Sequence, residues 1–239
     1  MVVVDGLVAA LIAPVCAACK RPLERPTVSA VCLPCWRSIA AIAAPFCDGC
    51  GAPLQSWRIL SIAERRCPRC RRRGGEISIA RAVGTYEGTL RLLLHAFKYE
   101  RRRSIARRLA ALMRRHGEDV LHGADALVPV PLHRSRLRTR GFNQAEDLAQ
   151  HLDLPVARVL RRVRATTSQT DLPASRRHAN VRGAFALTRR AEVEGRRLVL
   201  IDDVSTTGAT LEACARVLRA AGAAEVRALV AARATVKVQ

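Results

Sequence analysis

The sequence predicts an α/β fold in two parts, a small cysteine-rich module over residues 1–75 and a larger domain with a parallel sheet over residues 76–239. Three observations lead to this prediction. Eight of the nine cysteines form C-x-x-C pairs near the start of the chain, Gly74-Gly75 is typical of a boundary, and apolar runs alternate with helical patterns from Asp125 onward. Strands that alternate with helices favour a parallel sheet with helices on both faces.

The elements of the larger domain follow from its hydrophobic periodicity. Short apolar runs predict strands, and apolar residues three and four apart predict helices. We expect a hood over residues 76–124 and a core over residues 125–239. In chain order, strands are predicted at 77–86, 126–130, 156–163, 185–187, 198–201 and 226–230, and helices at 90–97, at about 104–116, from about 144 to 152, and from about 210 to a stop at Gly222.

The cysteine pairs predict two structural zinc sites. Two residues between cysteines let both thiolates point at one ion, and two such pairs complete a tetrahedron. Grouping pairs that are neighbours in sequence is the more local arrangement, although the first pair could also join the third. Disulfides are the alternative, but they require an oxidising compartment, and the sequence carries no sign of entering one. The predicted ligands are Cys16, Cys19, Cys32 and Cys35 for one Zn²⁺ and Cys47, Cys50, Cys67 and Cys70 for the other, while Cys214 is expected to pack in a core.

The composition is strongly basic, with a formal net charge of +21. Of the 41 basic residues only three are lysines, so 38 are arginines. A coding bias would explain arginine in place of lysine, but it would not explain the excess over acidic residues. Such a charge attracts polyanions. Two arginine runs are candidates for binding single-stranded nucleic acid, and the second is expected to lie apart from any phosphate site: Arg71, Arg72, Arg73 and Arg101, Arg102, Arg103.

The N-terminal apolar run at residues 2–13 is too short to span a bilayer. We expect it to form a helix that packs on the following module. No other stretch approaches the length of a membrane span. The sequence therefore predicts a cytoplasmic protein without a membrane span.

The stretch LVLIDDVSTTGAT at residues 198–210 is the strongest candidate for a functional site. A strand, a tight turn and a helix bring backbone N–H groups and the positive end of the helix together, which favours a bound phosphate. Asp202 and Asp203 are expected at the end of the strand, where they suit vicinal hydroxyls of a sugar or a Mg²⁺ ion. The alternative is a plain helix cap beside two surface charges. The predicted phosphate-binding residues are Ser205, Thr206, Thr207, Gly208, Ala209 and Thr210.

Two further polar segments are candidates for the same site. Two prolines stiffen the turn after the predicted strand at 126–130, and four arginines between Arg134 and Arg140 follow on a loop that suits a dianionic leaving group. Solvated charge is the alternative for some of these arginines. The long polar connection at residues 164–180 is a candidate lid.

Taken in order, these motifs resemble the ComF family, which includes the ComFC and GntX proteins. The resemblance rests on the four cysteine pairs and on YEGTLRLLLHAFKY, VPVPLHRSRLRTRGFNQA, RATTSQTDLPASRRHANVRGAF and LVLIDDVSTTGAT. It implies a double zinc ribbon followed by a type I phosphoribosyltransferase domain that binds phosphoribosyl pyrophosphate (PRPP) with Mg²⁺. It also implies a role in natural competence and transformation, with single-stranded DNA and other competence proteins as partners.

The resemblance also implies a role for each segment. Asp202 and Asp203 would be the catalytic pair that holds the ribose hydroxyls, and the turn that follows would hold the 5′-phosphate. Residues 129–141 would form the pyrophosphate loop, with Pro131, Leu132, His133, Arg134 and Arg140 as its contacts. Residues 164–180 would form the lid, with Arg164, Thr166, Gln169, Arg177 and Asn180 at the family's positions.

Two departures from related enzymes leave the acceptor open. Purine-salvage phosphoribosyltransferases commonly carry an acidic residue at the position of Thr206, and a threonine is not a general base at neutral pH. The chain also begins Met1-Val2-Val3 and has no N-terminal cysteine nucleophile of the kind that the glutamine-using amidotransferase carries. We therefore retain two hypotheses, a PRPP-binding phosphoribosyltransferase and a single-stranded nucleic-acid-binding protein with a regulatory or vestigial PRPP site.

Overall fold

The computed structural model describes residues 13–54, 66–165 and 181–234. Its strands are β1 (Ala80–Thr85), β2 (Ala126–Pro129), β3 (Leu160–Arg162), β4 (Phe185–Leu187), β5 (Arg197–Ser205) and β6 (Glu225–Arg233). Its helices are α1 (Leu33–Arg37), α2 (Pro68–Arg73), α3 (Gly88–Tyr99), α4 (Ile105–His116), α5 (Glu118–Leu121), α6 (Arg134–Arg140), α7 (Gln144–Ala149) and α8 (Ala209–Ala220).

A parallel sheet in the order β1-β6-β5-β2 forms the centre of the larger domain. All three pairings are parallel, and the register places Leu200 opposite both Val128 and Ala228. The central strands are almost wholly apolar because both faces of the sheet are covered. The predicted α/β class is confirmed.

Two predicted strands differ from those observed. β5 continues past Ile201 to Ser205 because β6 is long enough to pair with it, so Asp202 lies opposite Val230 within the strand. The segment predicted as one strand at 156–163 changes partner. Val156 bridges to Leu127 at the sheet edge, and residues 160–162 then pair antiparallel with β4.

Helices cover both faces of the sheet, as predicted. α3 and α4 pack against one face, where Phe97 and Leu109 share a core with Val199. α8 packs against the other face, where the fully buried Cys214 and Leu218 share a core with strand residues and with the β3–β4 hairpin. Cys214 is thus a packing residue.

The segment predicted as the hood, residues 76–124, shares a sheet with the segment predicted as the core. Its strand β1 pairs with β6, and its helices α3 and α4 cover one face of that sheet. The cysteine-rich module is also joined to this core, because Leu23, Val31 and Trp36 are buried in the same cluster as α3. Within the described residues, no helix combines the length and apolarity that crossing a membrane requires.

Candidate functional site

The eight paired cysteines form two groups, each compact enough to hold one metal ion. In each group the sulfur atoms lie within 4.8 Å of one another, and the members are Cys16, Cys19, Cys32, Cys35 and Cys47, Cys50, Cys67, Cys70. The sequential grouping is therefore confirmed, and the crossed grouping is not adopted. Backbone N–H groups donate to sulfur in both knuckles, from Cys32 to Cys16 Sγ and from Cys67 to Cys47 Sγ. Four thiolates fit Zn²⁺ and leave no position for a substrate, so both sites are structural in type.

The turn between β5 and α8 has the geometry of an anion-binding loop. Gly208 adopts φ +75°, a left-handed conformation that lets the chain turn sharply into the helix. Thr207 Oγ1 accepts a hydrogen bond from the N–H of Ala209, which begins α8. The predicted phosphate-binding residues are consecutive here and include the first residues of α8, where the positive end of the helix favours a bound anion.

A buried ion pair joins this strand to α3. Lys98 Nζ lies 2.8 Å from Asp203 Oδ2, and the two side chains are only 15% and 10% exposed. Burial alone would lower the pKa of Lys98, but the Asp203 carboxylate outweighs burial and raises it above its ordinary value. Sequence reasoning assigned no role to Lys98. The available signal was that Lys98 is one of three lysines in a chain that otherwise uses arginine.

The two carboxylates point towards different surroundings. Successive strand residues face opposite sides of a sheet, so Asp203 faces α3 while Asp202 lies near Arg162 and Cys214 on the other side. The N–H of Asp203 donates to Asp202 Oδ1 at 2.8 Å. Burial, helped by the charge of Asp203, raises the pKa of Asp202 to about 8. At neutral pH Asp202 is therefore largely protonated.

The predicted pyrophosphate loop follows β2, and β2 pairs directly with β5. Pro131, Leu132 and His133 form its extended first part, but Arg134–Arg140 is a short helix and not the loop that we expected. His133 caps this helix, since its Nδ1 accepts from the N–H of Ser135. Arg140 donates to Gln144 Oε1 at 2.7 Å and lies over the exposed ring of Tyr99. The Arg140 guanidinium is thereby held over the ring of Tyr99, the sequence neighbour of Lys98.

Of the predicted lid residues, Arg164 is described, and its guanidinium donates to the carbonyl of Arg182 at 2.7 Å. The others lie outside the described residues, namely Thr166, Gln169, Arg177 and Asn180.

The arginines of the run after Tyr99 form hydrogen bonds and ion pairs with other parts of the protein. Arg103 forms a bidentate pair with the buried Asp147, with N–O distances of 2.7 and 2.8 Å. Arg101 donates to the carbonyl of Thr139 in α6, and Arg102 lies 3.9 Å from a Glu100 oxygen. This run thus contacts α6, which belongs to the predicted pyrophosphate segment, so the two predicted sites adjoin and are not apart as we expected.

The other arginine run lies on α2, beside the second cysteine group. Arg71 and Arg72 are exposed there, and Arg73 ends the helix. The two predicted nucleic-acid segments thus lie on different elements, one on α2 and the other between α3 and α4.

Comparison with known proteins identifies both parts of the chain. The family described as "Phosphoribosyl transferase domain" matches residues 98–237, and the family described as "Double zinc ribbon domain" matches residues 7–71. Fold and site thus define a phosphoribosyltransferase-domain protein that carries a double zinc ribbon.

Similar proteins identify the family to which the whole chain belongs. The chain is 36% identical over 163 residues to Competence protein F of Haemophilus influenzae, covering 64% of this chain and 71% of that protein. It is 35% identical over 174 residues to DNA utilization protein YhgH of Escherichia coli K12, covering 67% of this chain and 74% of that protein. The chain belongs to the ComF family. Among solved structures, it is 23% identical to an allosteric regulatory enzyme of purine biosynthesis, with a TM-score of 0.35, and covers 53% of this chain and 26% of that one.

Proposed function

We propose that the chain binds PRPP with Mg²⁺ in the cleft between the ends of β5 and β2, and that it acts as a phosphoribosyltransferase, that is, a glycosyltransferase. The observation that carries this proposal is the junction of β5 and α8, where two carboxylates precede a hydroxyl-rich turn and a helix N-terminus. Asp202 and Asp203 would hold the ribose hydroxyls. The turn at residues 205–210 would hold the 5′-phosphate through N–H and hydroxyl donors.

The neighbouring segments would bind the pyrophosphate end of PRPP. The helix Arg134–Arg140 follows β2, and arginines suit the dianionic pyrophosphate that leaves. Mg²⁺ would neutralise charge on the pyrophosphate as it departs. The expected lid at residues 164–180 would exclude water from the reactive ribosyl centre. Lys98 holds Asp203 at 2.8 Å, so the sugar must compete with this ammonium for that carboxylate.

Calorimetric titration with PRPP, with and without Mg²⁺, tests this proposal. Asp202→Asn combined with Asp203→Asn should abolish binding, while circular dichroism stays unchanged. Asp125→Asn combined with Asp153→Asn is the matched control, because it removes the same charge from two more exposed carboxylates. Equal affinity in the two double variants would refute the proposed ribose contacts. A pyrophosphate-release assay then distinguishes turnover from binding alone.

A role in handling single-stranded DNA in the cytoplasm is the second candidate, with a regulatory or vestigial PRPP site. The net charge of +21 supports it, and one relative is named a DNA utilization protein and another a competence protein. Zinc knuckles in place of disulfides suit a reducing compartment. Other proteins of natural transformation are then expected partners.

Binding of oligothymidylate at several salt concentrations tests this role. If arginines neutralise phosphates, the log–log slope against salt should be roughly −0.7 for each phosphate contacted. Arg71→Ala combined with Arg72→Ala should flatten the slope, whereas Arg107→Ala combined with Arg115→Ala should leave it unchanged. Arg103 is unsuitable for this test because it pairs with the buried Asp147. Equal losses in both double variants would mean that the protein is only diffusely basic.

A further inference from the structure

A groove of about 500 Å³ lies between the first cysteine group and α4. This volume is within the range of about 300–1,000 Å³ that is usual for binding pockets. Its apolar lining residues are Pro22, Leu23, Val28, Val31, Leu33 and Pro34. None of the residues described along the groove belongs to the candidate PRPP site, so the two sites share no side chain.

Two of the apolar side chains in the groove are unusually exposed. Val28 is 57% exposed and Leu33 is 46% exposed. They are two of the six large apolar side chains that are exposed in the described part of the chain. Apolar residues that are exposed singly are common on protein surfaces, but apolar residues that adjoin in one concave patch are typical of an interaction site.

Hydrogen bonds fix the loop that carries Val28. Ser29 Oγ donates to the carbonyl of Val31 at 2.8 Å and accepts from Trp36 Nε1 at 3.3 Å. The N–H of Val31 donates back to Ser29 Oγ at 3.1 Å. Trp36 is buried in the core cluster that also contains α3. The groove is therefore already formed in the free protein, which lowers the entropic cost of binding a partner.

Arginines outnumber carboxylates around the groove. The charged residues described along it are Arg21, Arg25, Arg108 and Glu24. Arg21 lies beside the Cys19 thiolate, which raises the pKa of its guanidinium. Arg108 on α4 is held over the ring of Trp36, 5.2 Å from the ring centroid, and Arg25 is exposed. Among the described residues, neither Arg25 nor Arg108 pairs with a carboxylate, so both are available to a partner's acidic side chains.

We propose that this groove binds a short peptide segment of another protein, in which aliphatic side chains are flanked by carboxylates. The aliphatic side chains cover Val28 and Leu33, which removes apolar surface of both partners from water. The carboxylates accept charge-assisted hydrogen bonds from Arg25 and Arg108. The proposal depends on neither PRPP binding nor DNA binding.

The lining residues favour a peptide over a nucleic acid. No aromatic side chain lines the described part of the groove, so a base would find no ring on which to stack. A nucleic acid also carries a negative charge on every phosphate, and one of these would have to lie near Glu24. A peptide can place its acidic residues at the arginines and a neutral residue beside Glu24.

Fluorescence anisotropy with three labelled octapeptides and the full-length, zinc-loaded chain tests the proposal. The peptide EDELLEDE has both the aliphatic and the acidic residues, EDESSEDE lacks the aliphatic ones, and KRKLLKRK lacks the acidic ones. EDELLEDE should bind at least about tenfold more tightly than either of the others, because it alone matches both the apolar floor and the arginines. Equal affinity for EDESSEDE would overturn the proposal, since the protein would then bind acidic peptides only through its general positive charge.

A pair of arginine variants locates the acidic contacts. Arg25→Ala combined with Arg108→Ala should weaken the binding of EDELLEDE about tenfold, because charge-assisted hydrogen bonds are lost. Arg107→Ala combined with Arg115→Ala is the matched control and should leave the affinity unchanged. It removes the same charge from exposed positions of α4 that do not line the groove.

A second pair of variants locates the apolar contact without changing the charge. Val28→Ser should weaken the binding of EDELLEDE about fivefold. Leu92→Ser should not, although Leu92 on α3 is 49% exposed. Three further results would overturn the proposal. These are equal losses in a variant and its control, displacement of EDELLEDE by oligothymidylate, which would make the groove a nucleic-acid site, and no binding of any peptide, as when a second copy of the chain covers the groove.

Discussion

Replacing Lys98 by methionine should destabilise the larger domain by about 3 kcal/mol or more at neutral to alkaline pH. The ammonium lies 2.8 Å from Asp203 Oδ2, and both side chains are largely buried. At that distance the attraction is about 6 kcal/mol for an effective dielectric constant of about 20. The cost of burying both charges cancels much of it in the intact protein, but deleting one partner leaves an uncompensated carboxylate, which typically costs about 3–5 kcal/mol.

The loss should depend on pH in a defined direction. Burial raises the pKa of Asp202 to about 8 although the Lys98 ammonium opposes the rise, so replacing Lys98 should raise this pKa further in the folded chain. A carboxyl whose pKa is raised by folding binds its proton more tightly in the folded state, so stability is retained below the unfolded pKa and falls as pH rises towards the folded value. The destabilisation should therefore be smaller near about pH 7 and larger near about pH 9.

Urea denaturation followed by far-ultraviolet circular dichroism measures this effect. Circular dichroism is preferred to tryptophan fluorescence because both tryptophans, Trp36 and Trp57, belong to the cysteine-rich module, and Trp36 is buried against α3 and so responds to both parts of the chain. Lys20→Met is the matched control, since Lys20 is exposed and lies 3.6 Å from Glu100. Such surface pairs contribute about 0–1 kcal/mol. A loss in Lys98→Met no larger than in the control, or one independent of pH, would refute the reasoning.

Three further predictions follow from the structure. Purified protein should contain two zinc ions per chain by elemental analysis, and chelation should change tryptophan fluorescence before it melts the sheet; one zinc or none would contradict the two cysteine groups. Arg103→Ala should destabilise the fold by about 2 kcal/mol because it strands the buried Asp147, whereas Arg102→Ala should change stability little in the same urea assay. Carbon-13 NMR of labelled aspartate should reveal one carboxyl that titrates near pH 8, and its signal should be missing in Asp202→Asn. Titration of every carboxyl below about pH 5 would contradict the burial of Asp202.

Local signals in the sequence were sufficient for several elements. The pairing of cysteines within each C-x-x-C follows from spacing alone, because two thiolates separated by two residues reach one ion without help from the rest of the fold, whereas the structure decides which two pairs share an ion. β4 was predicted at its observed bounds, and the helix after the phosphate turn ends before Gly222, which has φ +88°. Each of these features depends on residues that are close in sequence.

The features that sequence reasoning missed depend on distant partners or on competing local preferences. β5 was predicted to stop at its first carboxylate because aspartate is rare in strands, but β6 supplies backbone partners beyond that point. Arg134–Arg140 was expected to be a loop because prolines precede it. Arginine is a good helix former, and His133 and Gly141 cap the two ends. The Lys98–Asp203 pair joins residues more than a hundred positions apart, and no local pattern contains it.

Trp36 is buried in the same core as α3, so the cysteine-rich module helps to hold the helix that carries Lys98 in place. The helix that carries this ammonium rests on the first zinc knuckle at one side and reaches the carboxylates at the other. If the chain binds PRPP as proposed, zinc occupancy and ligand affinity can be thermodynamically linked through this helix. If loss of zinc weakens sugar binding by some factor, the bound sugar must tighten zinc by the same factor, because the free-energy cycle closes. With such a linkage, zinc starvation would lower the affinity for the ligand, and a high ligand concentration would raise the affinity for zinc.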